Sequence, residues 1–251
     1  MKVYETGNIR NIVVMGHGGC GKTTLVEAIA YQTGITARMG KVTDGNTISD
    51  YDKEEQKRQF SISTSVVPVE FEDIKINFLD TPGYFDFVGE VEEACHAAGA
   101  AVIVINGKSG VEVGTLKAWE LCEKYKLPRL FFVTGMDDDQ ASYRKIVLEL
   151  NDRFGRKVAP FHVPIRENEK FVGFVNVVKM KGRRFINDTS EYEECDIPDY
   201  MDKHLNISRD ALVEAVADTS EELMERYFAG EEFTYEEVST ALRTHVMDCQ
   251  I

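Results

Sequence analysis

Short runs of branched apolar residues alternate along the first half of the chain with longer stretches of helical spacing. Ile9 to Met15 is apolar and β-branched and predicts a buried strand. Thr24 to Ala30 has helical spacing and stops at Gly34. Residues 61–71 alternate as an edge-type strand, and Lys75 to Leu79 is a short apolar strand that closes on Asp80. Residues 88–99 predict a helix, Ala100 to Ile105 a fully buried strand, Val111 to Tyr125 a helix, Pro128 to Val133 another buried strand, and 139–153 a helix. Strands alternating with helices predict an α/β fold, a parallel sheet with helices on both faces. Residues 35–60 interrupt the rhythm. They are polar, with Gly40, Gly45 and Asn46 and the charged run Asp52 to Arg58. A structureless stretch of this length is usually functional or mobile; the plainer alternative is a solvated helix-and-loop insert.

After Gly155 the texture changes. Val158 to Pro164, Phe171 to Val178 and Arg183 to Ile186 read as short strands, with Lys181-Gly182 as a turn. A polar stretch follows from Asp188 to Tyr200, then helices near 208–218, 219–229 and 234–247. The expected organisation is a core over 1–157 and an α+β subdomain over 158–251. The late helices are acidic on one side, through Glu221, Glu222, Glu225, Glu231, Glu232, Glu236 and Glu237. A solvated face explains that better than a docking surface for a basic partner.

Composition adds limits. The net charge of −14 argues against nucleic-acid binding through a diffuse basic surface. No apolar run approaches the length of a membrane span, and the first residues carry no secretory core, so a cytoplasmic location is expected. Cys20, Cys95, Cys122, Cys195 and Cys249 are scattered and form no C-x-x-C pair, which reads as reduced thiols. The five histidines show no metal-ligand spacing.

The chemistry begins at Gly16-His17-Gly18-Gly19-Cys20-Gly21-Lys22-Thr23, which fits G-x-x-x-x-G-K-[ST], the phosphate-binding P-loop. A strand before it and a helix after it aim backbone N–H groups and a positive helix end at one place. His17 through Thr24 are the candidate phosphate-binding residues. Lys22 is expected to reach the β- and γ-phosphates, and Thr23 to bind Mg²⁺. Asp80-Thr81-Pro82-Gly83 is the second marker. An acid closing an apolar strand is the arrangement that holds Mg²⁺ through water, and Gly83 can turn its N–H toward a γ-phosphate. A simple turn is the alternative. Thr134-Gly135-Met136-Asp137 closes a later strand, and ligands of parallel sheets collect at such ends. Asp137 can accept two N–H groups from a guanine edge. The triple Asp137-Asp138-Asp139 also suits the acidic start of the helix expected from 139.

From the P-loop to residue 251 the chain resembles the N-terminal GTPase domain of translation elongation factor G, in particular divergent members whose loop reads GHGGxGKTT. The resemblance rests on the loop, on Asp80 to Gly83, on the switch-one segment Glu55 to Ile62, and on an inserted subdomain. That insert carries Val163-Pro164-Ile165, Phe171-Val172-Gly173, Arg209 to Glu214 and Leu223 to Tyr227. It implies a P-loop NTPase core with an inserted α+β subdomain, bound GTP or GDP with Mg²⁺, and GTP hydrolysis coupled to ribosomal movement of tRNA and mRNA. The ribosome would be met through the full-length protein. A monomer is expected, with no direct nucleic-acid binding by this piece.

Departures from the family pattern shape the expectation. Gly18 and Gly19 stand where the family has a branched apolar residue and an aspartate. Ser61 replaces the switch-one threonine and keeps a hydroxyl for Mg²⁺. Tyr84 replaces the histidine that positions the attacking water; a phenol does not accept a proton as imidazole does, yet it can orient water. Lys22, Gly83 and Tyr84 are therefore the candidate catalytic residues, Thr23, Ser61 and Asp80 the candidate metal ligands, and slow hydrolysis is expected. Thr134 and Gly135 replace an asparagine that braces the base pocket and a lysine whose stem packs on the base, so weaker binding is expected. The chain reads as a fragment that stops before a final strand and its Ser-Ala motif. The rival readings are a nucleotide-dependent ribosome-binding or ribosome-protection factor with vestigial hydrolysis, and an ATP-using P-loop enzyme. The order of the motifs disfavours the latter.

Overall fold

The apolar run predicted to open the sheet does so. In a computed structural model that describes residues 2–168, 170–186 and 191–251, apart from the side chains of 202–204, it forms β1 (Ile9–Gly16). The chain divides into two units, Met1–Thr134 and Gly135–Ile251.

In the first unit β1 is followed by α1 (Lys22–Gln32), α2 (Lys53–Arg58), β2 (Ser65–Phe71), β3 (Ile74–Asp80), α3 (Val88–Ala97), β4 (Ala100–Asn106), α4 (Val113–Tyr125) and β5 (Arg129–Thr134). The sheet order is β2-β3-β1-β4-β5. β1 lies parallel to β3 and β4, β4 parallel to β5, and β2 antiparallel to β3 on one edge. Side chains alternate across a strand, so neighbouring residues of β1 enter different cores. Val13 and Met15 pack with Leu79, Ile103 and the helix residues Ala94, Cys95, Ala118 and Cys122. Val14 packs on the opposite face with Val104, Phe78, Val67 and the α1 residues Val26 and Ala30. Helices thus cover both faces, and Gly16, Asp80, Asn106 and Thr134 close four parallel strands at their carboxyl ends, on one side of the sheet.

The second unit holds α5 (Tyr143–Phe154), β6 (His162–Glu167), β7 (Lys170–Asn176), β8 (Lys181–Phe185), β9 (Tyr192–Cys195), α6 (Asp202–Ala217), α7 (Glu221–Phe228) and α8 (Tyr235–Met247). The four strands form an antiparallel sheet in sequence order. Val163, Ile165, Val175 and Val177 pack against Leu205, Leu212 and Val216 of α6 and Val238 and Ala241 of α8.

Four local expectations need correction. Residues 35–60 are not structureless: a short 3-10 turn at Val42–Asp44 and α2 occupy part of the stretch. α2 starts at Lys53 because Asp52 and Glu55 form a capping box. Helix α5 starts at Tyr143 and not at 139, because Ser142 accepts the Lys145 N–H and caps it there. Asp137-Asp138-Asp139 therefore lies in turns and not at a helix start. Lys181-Gly182 is the beginning of β8; the turn is Val177–Met180, with Met180 at φ 51°. Of the polar stretch Asp188 to Tyr200, Asp188 to Ser190 lie outside the described residues, and β9 occupies Tyr192–Cys195.

Candidate nucleotide site

The glycine loop curls because three of its residues hold backbone angles that side chains disfavour. Gly16, Gly19 and Gly21 have φ of 148°, 78° and 96°. At Gly16 space also decides, since a Cβ would fall 2.4 Å from the Val104 carbonyl oxygen. Gly21 caps α1 without a side-chain acceptor, so the first N–H groups of α1 keep their capacity to bind an anion.

Lys22 is buried at the first position of α1. Its Nζ donates to the carbonyls of Gly16 at 3.1 Å and His17 at 2.9 Å, which holds the ammonium inside the curl. Gly83 lies directly against it, where a Cβ would meet Nζ at 2.4 Å and the Gly18 nitrogen at 2.8 Å. The His17 side chain is directed elsewhere: Nδ1 accepts the Gly114 N–H at 3.3 Å, and Nε2 is 3.6 Å from Glu112. It joins the loop to the start of α4. Thr81 is fully buried and donates to the Val14 carbonyl at 2.7 Å, tying the end of β3 to β1. Pro82 is buried, Thr24 is exposed, and burial pushes the Cys20 thiol up.

Beneath the loop lies a group of hydroxyls and carboxylates. The Thr23 and Ser61 hydroxyl oxygens are 3.2 Å apart, and Ser61 donates to Asp50 Oδ1 at 2.7 Å. Asp80 is 1% exposed, and its carboxylate oxygens make no hydrogen bond of good geometry. Burial raises its pKa from 3.8 to about 6; nearby Ser49, Thr23 and Lys22 hold it down only partly, and Asp50 adds to the rise. Asp50 is also raised by burial, against the hydrogen bond from Ser61. A buried carboxylate only partly compensated by neighbouring hydroxyls fits Mg²⁺, which takes one or two carboxylates and completes its shell with water and phosphate oxygens. Among the described residues no cluster of three His, Cys, Asp or Glu side chains could hold a metal.

The 35–63 segment is pinned over this group by two further buried acids. Glu27 accepts the Gly40 and Ile48 N–H groups, each at 2.7 Å. Glu55 accepts those of Ile62 at 2.9 Å and Ser63 at 3.1 Å. Glu27, Asp50 and Glu55 are absent from the sequence-derived site. Asp50 and Glu55 sit in a polar stretch and Glu27 in a helix, and only tertiary burial distinguishes them from solvated acids. A cavity of about 200 Å³ lies between the loop, this segment and Gly83-Tyr84. Tyr84 is 47% exposed, and its ring meets Phe60 with centroids 4.7 Å apart.

At the end of β5 the Thr134 hydroxyl donates to the Cys20 carbonyl at 2.6 Å. That bond ties the end of β5 to the glycine loop. In the second unit Asp137 is exposed in a loop that begins with Gly135 at φ 63°. Arg166 of β6 holds that loop, donating to the carbonyls of Met136, Asp138 and Ala141 at 3.3, 3.0 and 3.2 Å. Sequence reading missed Arg166, since an arginine in an alternating strand carries no local sign of this role.

The profile of the elongation factor Tu GTP binding domain matches residues 7–242. A protein of Thermus thermophilus, known from its crystal structure, is 36% identical, with a TM-score of 0.87 over 96% of this chain. The chain spans 36% of that protein's length. Among the described residues no helix is long and apolar enough to cross a membrane. The mostly parallel sheet, the loop at the end of its central strand and a match over most of the sequence agree, and the chain belongs to the family of the elongation factor Tu GTP-binding domain, the translational GTPases.

Proposed function

We propose that this chain binds and hydrolyses GTP as the nucleotide domain of an elongation factor G-like protein, coupling hydrolysis to movement of tRNA and mRNA on the ribosome. The observation that carries the nucleotide reading is Asp80: a fully buried carboxylate with no hydrogen bond of good geometry, near the Thr23 hydroxyl, which in turn lies 3.2 Å from that of Ser61. Thr23 and Ser61 would hold Mg²⁺, with Asp80 acting through water and Asp50 holding the Ser61 hydroxyl. When bound, the ion neutralises charge on the β- and γ-phosphate oxygens.

The remaining work falls to the chain's own groups. Lys22 exchanges its two carbonyl partners for phosphate oxygens. The α1 N–H groups and those of loop residues 18–21 cradle the phosphates. The Gly83 N–H would donate to the γ-phosphate. Tyr84 orients water through its hydroxyl without accepting a proton from it, so catalysis rests on positioning and electrostatics, and unstimulated turnover is slow. Asp137 selects guanine, on a loop held by Arg166, while Thr134 braces the strand end. The proposed core runs over 1–157 and the inserted subdomain over 158–251.

Calorimetric titration of the chain with GTP and with ATP tests the assignment. A clear preference for GTP is expected, and equal affinities would remove the guanine reading. The second reading is a ribosome-binding or ribosome-protection factor in which hydrolysis is vestigial, favoured by Tyr84 in place of histidine. Ribosome-stimulated GTP turnover by the full-length protein separates the two.

A further inference from the structure

Gly18 differs from the other loop glycines. Its φ is not in the left-handed region, so its backbone is open to any residue. What a side chain there would meet is a single ring. The three atoms nearest to a Cβ placed on Gly18 are Cζ, Cε1 and Cε2 of Tyr84, at 3.3, 3.4 and 3.5 Å. These atoms are the hydroxyl-bearing end of the phenol, which therefore lies beside the loop. The ring is also in contact with Phe60, with planes inclined at 59°, and Phe60 lies 6.4 Å from Phe87. Gly83 packs against the same bare carbon, its own Cβ position falling 2.8 Å from the Gly18 Cα. Gly18, Phe60, Gly83 and Tyr84 all line the cavity above Lys22 and Thr23.

We propose that Gly18 is a positioning residue for Tyr84. Its missing side chain is the seat of the phenol, and the seated ring supplies both the apolar wall of the triphosphate cavity and the hydroxyl that faces water. The glycine at 18 and the tyrosine at 84 are then one exchange: a small loop residue makes room for a large residue after Gly83. The inference rests on the GTPase reading of this cavity, yet the seating itself is a property of the protein without nucleotide. A branched residue at 18 puts its Cγ atoms where the ring lies. Because Tyr84 is half-exposed, the ring swings outward and the fold is retained.

The test is a double-mutant cycle in the full chain with Gly18→Ala, Gly18→Val and Tyr84→His, read two ways. Tyrosine nitration by tetranitromethane, located by mass spectrometry on the peptide that contains Tyr84, reports exposure of the ring. It is expected to rise from wild type through Gly18→Ala to Gly18→Val. In single-turnover GTP hydrolysis, Gly18→Val is expected to lower the rate about tenfold in the wild-type background and less than about threefold when Tyr84 is already histidine. Unchanged nitration in Gly18→Val, or rate effects that simply multiply, would overturn the proposal. If the wild-type chain hydrolyses no GTP, the functional reading fails, and nitration alone decides whether Gly18 seats the ring.

Discussion

In the first unit Glu27, Asp50, Glu55 and Asp80 are 1%, 3%, 2% and 1% exposed. In the second, among the described residues, no acid is buried to that degree, and the acids of α7 and α8 stand at the surface or pair with Arg226. The same residue types therefore obey different physics. A carboxylate out of water is tolerated when N–H or O–H groups replace its hydration. Glu27 has two backbone N–H groups, Glu55 has three, and Asp50 has the Ser61 hydroxyl. Asp80 makes no hydrogen bond of good geometry, and the nearby Ser49 and Thr23 hydroxyls and Lys22 offset its burial only in part. Three acids organise the polypeptide around the fourth, whose partly compensated charge suits a cation. Surface acids in the second unit keep their water, and their number says little about stability.

Substitution of Asp80 tests the contrast most severely. Asp80→Asn is expected to weaken Mg²⁺-dependent GTP binding about a hundredfold, measured by titration with and without the ion. The free protein should respond in the opposite direction. The folded pKa of Asp80 lies above its unfolded value, so folding binds a proton more tightly and stability declines as pH rises from 3.8 to about 6. Above that window the cost is complete and amounts to at most about 3 kcal/mol. Asp80→Asn removes it, so the variant should melt higher than wild type at pH 7.5, with the difference vanishing toward pH 4. Equal melting temperatures at both pH values would mean that the burial of this charge is compensated.

Glu55 provides the next test. Glu55→Ala leaves the Ile62 and Ser63 N–H groups without their acceptor, an expected loss of about 2–3 kcal/mol in chemical unfolding. It should also speed proteolytic cutting within 40–63, with Glu55→Gln in between. The smallest effect belongs to the second unit. Hydrogen bonds from Arg226, and then from Thr234, pull Glu237 from 4.5 to about 2. The pair's contribution is thus full above pH 4.5 and lost as pH falls toward 2. Both groups are solvated, so Glu237→Gln should lower the melting temperature slightly, and high salt should abolish the difference. A large, salt-resistant loss would erase the distinction between the two units.

Local pattern carried most of the first unit. Strands such as Ile9 to Met15 and Ala100 to Ile105 are apolar on both faces because both faces are covered, and such runs are visible without a structure. The second unit was less legible at its edges. The pairing of Gly182 with Cys195 and Val175 made a strand of a Lys-Gly pair that reads locally as a turn. The capping serine at 142 outweighed three consecutive aspartates. In the candidate site, Lys22, Thr23 and Asp80 could be named in advance because loop spacing and a strand end are written in neighbouring residues. Arg166 and Glu27 were not, since each acts on backbone distant in sequence.

The amino-acid sequence by itself determined the α/β rhythm, the glycine loop and the order of its chemical markers, because strand period, helix period and positive-φ glycines are local constraints. Only the tertiary structure decided which acids lose their water, which hydroxyl braces Cys20, and that the Tyr84 ring rests on Gly18. Burial and contact depend on residues brought together across the chain, and a carboxylate or a glycine reads the same in sequence whether water, an N–H group or an aromatic ring lies beside it.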